Sequence, residues 1–130
     1  MEQHDLVELM DKGTVAFCDR DDAASDIRWN PHPKFKGVSL KHLITGKDTN
    51  GKLSCHMVRV EPGCELESHV HADQWELHEV IRGSGMAVLD GKTMEYASGK
   101  AAVIPTGKTH SVRAMDDGLV LLAKFFPALV

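Results

Sequence analysis

Between Gly37 and Pro127 the sequence is interrupted by turn chemistry at short intervals: KDTNG after Val38 to Thr45, EPG after Leu53 to Val60, GSG after Trp75 to Arg82, Asp90-Gly91 after Met86 to Leu89, and PTG after Ala101 to Ile104. Between these breaks apolar and polar residues alternate in short runs, the pattern of strands that bury one face. Asn50-Gly51 supplies the pair of positive φ angles that a tight hairpin needs. Adding Thr93 to Ala97, His110 to Ala114 and Leu119 to Phe126 predicts eight or nine short strands. Strands and helices do not alternate as a parallel sheet would require, so the expected architecture is an all-β antiparallel sandwich or small barrel.

The segment before this region reads differently. Leu6, Val7, Leu9 and Met10 form a short amphipathic pattern ended by Gly13, which predicts one or two helical turns. From Asp19 to Asp26 the chain is acidic and aperiodic, and WNPHP (Trp29 to Pro33) is an extended connector, because residues before prolines avoid the helical region. The expected organisation is therefore residues 1–36 as helix and arm and residues 37–130 as barrel, in one domain. A length of 130 residues supports one hydrophobic core and is short for two.

Composition excludes several functions. The net charge of -4 and the scattered basic residues argue against a nucleic-acid partner. No apolar run approaches the ~18 residues of a membrane span, and MEQHDLVELMDKG lacks the form of an export signal, so a soluble cytoplasmic protein is expected. Cys18, Cys55 and Cys64 form no closely spaced pair, so reduced thiols, each packed as a small hydrophobe, are expected in place of a disulfide framework or a thiolate zinc site.

Histidine carries the chemical signal. Gly63, His69, His71, Glu76 and Gly83 stand as G-x5-H-x-H-x4-E-x6-G, and Gly99, Pro105, Gly107 and His110 follow as G-x5-P-x-G-x2-H. His69 and His71 are two residues apart, so an extended strand would turn both rings to one face. The odd step to Glu76 calls for a turn at Ala72-Asp73-Gln74, after which Glu76 returns to the same interior. Pro105 and Gly107 fit the second and fourth positions of a type I turn that would present His110 at a strand start. Three imidazoles and one carboxylate can thus meet, a donor set suited to Fe, Mn, Co, Ni, Cu or Zn. Such a site leaves coordination positions open for a substrate oxygen, water or dioxygen.

The sequences PGCELESHVHADQWELHEVIRGSG and SGKAAVIPTGKTH, separated by the short spacer Ser84 to Ser98, closely resemble the two motifs of the cupins. The resemblance implies a double-stranded β-helix, a jelly-roll barrel holding one divalent metal ion on His69, His71, Glu76 and His110. Ala114 departs from the family's second motif, which often has asparagine near its end; that residue is not a ligand. Small cupins commonly form homodimers, and the C-terminal LVLLAKFFPALV, apolar on both faces, calls for burial on a second side that a partner copy would supply.

Further residues are candidates by parity. His78 shares the face of Glu76 and is the candidate acid/base, or a group that supports a ligand. His56, in phase with Val58 and Val60, is expected along the pocket wall, and Arg82 and Met86 at its far end, where an arginine could bind a carboxylate. Trp75, with the opposite parity, should face outward. Trp29 and His32 either lid the barrel mouth or pack the arm, and His4 and His42 are expected to be solvated or incidental. The leading expectation is a metal-dependent enzyme acting on a small oxygen-bearing metabolite, of dioxygenase, isomerase, epimerase, decarboxylase or lyase type. The alternative is a non-catalytic binding module or sensor, and a purely structural role is disfavoured by the single motif pair in a short chain.

Overall fold

Residues 5–130 are described by the computed structural model. His4 lies outside them. The chain opens with α1 (Leu6–Asp11), whose first turn is capped by the Asp5 carboxylate accepting from the Val7 amide at 3.0 Å. A small hairpin of β1 (Thr14–Ala16) and β2 (Asp21–Ala23) follows. The acidic, aperiodic stretch therefore contains a strand, too short for a periodic pattern to register.

The remaining strands are β3 (Trp29–Pro31), β4 (Val38–Ile44), β5 (Ser54–Val60), β6 (Glu65–His69), β7 (Trp75–Leu89), β8 (Lys92–Ala97), β9 (Ala101–Ile104) and β10 (His110–Phe126). The GSG segment expected to end a strand instead lies within β7, and His110 to Ala114 and Leu119 to Phe126 are parts of one long strand. These two strands are each shared between two layers. The first half of β7 and the second half of β10 join β3, β4, β5 and β9; the second half of β7 and the first half of β10 join β6 and β8. All pairings are antiparallel, and the result is a double-stranded β-helix, a jelly roll.

Both long strands bend where they cross. The register between them shifts from Ala114 to Leu119, and Gly83 sits there at φ 82°. A Cβ on Gly83 would collide with the Gly118 carbonyl, so this crossing requires glycine both for its backbone angle and for space.

Between the layers lies a core that includes Val58, Val60, Leu66, Val80, Val112, Leu121 and Phe125. A second apolar cluster lies outside the sheet. Val120, Leu122, Met57 and Leu43 pack there against Val7 and Ala24, with Met10, Val15 and Ile27 at its margin. The fully buried Lys41 binds the end of α1 to this face, its Nζ lying 2.6 Å from Asp11 Oδ1 and 2.9 Å from the Asp11 carbonyl. The Trp29 indole donates to the same carboxylate at 3.0 Å. The second side of the C-terminal strand is thus covered by the chain's own N-terminal segment, which removes the reason for assigning that face to a partner copy.

Candidate metal centre

The motif histidines are drawn together by backbone pairing. His69 ends β6, His110 begins β10, and the two are paired residues in adjacent strands. Beyond β6 the chain leaves the strand, so His71 stands on the connecting loop, where its carbonyl accepts from the Gly107 amide at 2.9 Å. That bond ties the two motif loops together. The turn before His110 closes between the Pro105 carbonyl and the Lys108 amide, with Gly107 at its third position at φ 77°. It lies one residue later than the type I turn expected, because glycine is placed where the positive angle is needed.

Glu76 sits on β7, 5% exposed, and its two oxygens have different surroundings. Oε2 accepts from His78 Nε2 at 2.7 Å. Oε1 lies 3.1 Å from His110 Nε2 and 3.5 Å from His71 Nε2. Despite the short separation, Oε1 and His110 Nε2 form no directed hydrogen bond, and both are buried with no partner among the described residues. An unpaired buried polar atom costs roughly 1–3 kcal/mol, so two of them facing one space mark a place built for something else.

Tautomers follow from the other ring nitrogens. His69 Nδ1 lies 2.7 Å from the Glu67 carbonyl and His110 Nδ1 3.3 Å from the Lys108 carbonyl. A carbonyl only accepts, so each Nδ1 carries the proton and each Nε2 presents a lone pair. The candidate ligand atoms of His69, His71 and His110 all lie within 4.8 Å of one another. Burial holds the His69 and His71 pKa values below the usual imidazole range, which keeps both rings neutral near pH 7. Burial alone would raise the Glu76 pKa, but His78, bonded to Oε2, outweighs it and holds the carboxyl well below its usual value. Three neutral nitrogen donors and one anionic oxygen fit a divalent first-row cation.

His78 is fixed from both sides. The Tyr96 hydroxyl lies 2.9 Å from its Nδ1, and burial raises the Tyr96 pKa, so the phenol donates and His78 passes its Nε2–H to Glu76. Tyr96 was not singled out in the sequence; its place opposite Gly85 on β8, 1% exposed, depends on register.

The cavity beside these groups measures about 80 Å³, and its wall includes His32 and Leu129 as well as His69, His71, Glu76, His78 and His110. His32 does reach the mouth, stacked on Phe35 at 4.5 Å, while Trp29 packs on the outer face under Arg59. Further expectations need correction. His56 is fully buried but lies behind Phe125, against which its ring packs at 5.6 Å, and does not line the cavity. Its partners are Ser54 Oγ at 2.8 Å and His42 Nδ1 at 2.7 Å, so His42 is half-buried and not solvated. Arg82 is exposed and paired with Asp5 at 2.7 Å, because the register with β10 shifts between Val80 and Arg82 and ends the parity that linked Arg82 to the interior. Met86, beyond the bend at Gly83, borders a separate depression with Glu95 and Met115. Trp75 faces outward as expected and is exposed; Cys18 is exposed too, against its expected burial, while Cys55 is buried.

Comparison with known proteins agrees with this geometry. The sequence profile of the family described as the cupin domain matches residues 56–123. The chain is a cupin. No curated protein sequence gives a match. Among solved structures, this cupin is similar to KdgF from Halomonas sp., with 20% identity over 79% of this chain and 88% of that one and a TM-score of 0.69. It is also similar to a predicted oxalate decarboxylase from Thermotoga maritima, with 21% identity, 79% and 95% coverage and a TM-score of 0.73. A third match is oxalate decarboxylase from Bacillus subtilis, described with Mn(II) centres, at 23% identity and a TM-score of 0.69; it covers 82% of this chain and 29% of that one.

Proposed function

We propose that this cupin is a metal-dependent enzyme acting on a small oxygen-bearing metabolite, with His69, His71, Glu76 and His110 holding one divalent cation. The observation that carries the reading is the pair of buried, unpartnered atoms, Glu76 Oε1 and His110 Nε2, beside two more imidazoles that burial keeps neutral. Three neutral rings and one carboxylate would leave a doubly charged cation with a net positive site. A bound cation there supplies Lewis acidity, polarising a ligand oxygen or acidifying a bound water.

The chain's own residues do the rest. Tyr96 holds the His78 ring in one tautomer, and the His78 Nε2–H fixes Glu76 through Oε2, leaving Oε1 free. His78 also borders the cavity without serving as a proposed ligand, which places an acid/base side chain beside a bound molecule. This proton-bearing group favours catalysis over binding alone.

The test begins with metal-free protein titrated with Mn2+, the cation named for the Bacillus subtilis relative. One equivalent should bind, and Glu76→Gln, which keeps the shape but removes the anion, should weaken binding by at least about tenfold. A protein that takes up neither Mn2+ nor any other first-row divalent cation would refute the reading. Ligand binding without turnover of any compound in a metabolite panel would leave the non-catalytic alternative.

A further inference from the structure

The walls of the cavity differ sharply in character. The motif histidines, His78 and Glu76 supply polar atoms, whereas Leu40, Val58, Leu66, Leu121, Phe125 and Leu129 supply only carbon. Among the described residues no lysine or arginine borders the cavity, and Glu76 is its only acid. Arg82, the cation that could have received a ligand carboxylate, faces away and pairs with Asp5. The polar residue on the arm side, His32, accepts from the Lys34 and Phe35 amides on Nδ1 at 3.0 and 3.2 Å, and burial lowers its pKa. It is thus a neutral ring with only an Nε2–H left to donate.

From this we infer that the site selects a small ligand with one oxygen-chelating head and an uncharged, apolar tail, and rejects one whose tail carries a second carboxylate. The inference rests on the metal-centre reading above and adds the substrate class. The head meets the positive end of the cavity. A tail carboxylate would lie against aliphatic and aromatic carbon with no cation to pair it, and burying an unpaired charge is strongly unfavourable. The size fits as well, since about 80 Å³ is far below the ~300–1,000 Å³ of sites for drug-sized ligands.

Two 2-oxo acids isolate the tail. 2-Oxopentanoate and 2-oxoglutarate share the chelating head and chain length and differ in a terminal methyl against a carboxylate. Their dissociation constants are measured on the Mn2+-loaded protein by calorimetry and by water proton relaxation. 2-Oxopentanoate should bind at least about tenfold more tightly. Leu40→Lys, at a half-buried wall position, should narrow or reverse that ratio. Equal affinities, tighter 2-oxoglutarate, or no binding of either acid to the loaded protein overturns the inference and leaves the metal centre standing. Failure to take up Mn2+ or any other first-row divalent cation defeats the metal-centre reading and the inference with it. If Leu40→Lys does not fold, the wild-type ratio alone decides.

Discussion

Acidification should destabilise the metal-free protein through His56 in a calculable way. This ring is 0% exposed, and burial, reinforced by the facing His42, lowers its pKa from 6.5 to about 4. Glu76 acts in the opposite sense but more weakly. Because the native value is depressed, the unfolded chain binds a proton on this imidazole between about pH 6.5 and pH 4 while the native protein does not. Stability from this group is complete above the unfolded value and is lost as pH falls toward the native one. Linkage gives a loss of roughly 1 kcal/mol at pH 5.5 and roughly 2–3 kcal/mol at pH 4.5, relative to pH 7.5.

Urea unfolding in EDTA at these three pH values, with wild type and His56→Gln, isolates the contribution. Glutamine does not titrate, and the other histidines are common to both proteins. The variant should be less stable at pH 7.5, because Ser54 and His42 lose a partner, and the gap to wild type should close by the stated amounts in acid. Repeating the subtraction in a His42→Asn background removes the one imidazole directly bonded to His56. Parallel stability curves for wild type and variant, or a gap that widens in acid, would refute the assignment of a neutral buried His56.

Two further outcomes follow from packing and hydrogen bonding. Leu122→Ala should cost about 2–5 kcal/mol in urea unfolding, since Leu122 fills the cluster between sheet and N-terminal segment; a cost below about 1 kcal/mol would mean that this face is not covered by the chain itself. Tyr96→Phe removes the donor at His78 Nδ1 while keeping the ring, so Mn2+ affinity should fall by about tenfold with little change in fold, and an unaltered affinity would detach Tyr96 from the site.

Much of the barrel was legible because its cues are local. Asn50-Gly51 and Asp90-Gly91 do turn the chain between β4 and β5 and between β7 and β8, and period-two alternation marks which residues face inward. On β7 parity fails where the strand bends. Glu76 and His78, before Gly83, face the cavity as alternation requires, whereas Arg82 and Met86, at and beyond the bend, do not. The N-terminal hairpin escaped notice because three-residue strands in an acidic stretch carry no periodic signal.

The sequence by itself determined the cupin fold and the grouping of His69, His71, Glu76 and His110, because motif spacing and turn residues act over a few positions and constrain each strand locally. Tertiary structure decided what covers and surrounds that group. The N-terminal segment closes the outer face of β10, Tyr96 orders His78 from another strand, and His32 and Leu129 reach the cavity from opposite ends of the chain. Contacts between residues so far apart depend on register and on the sharing of β7 and β10 between layers, which no local pattern encodes.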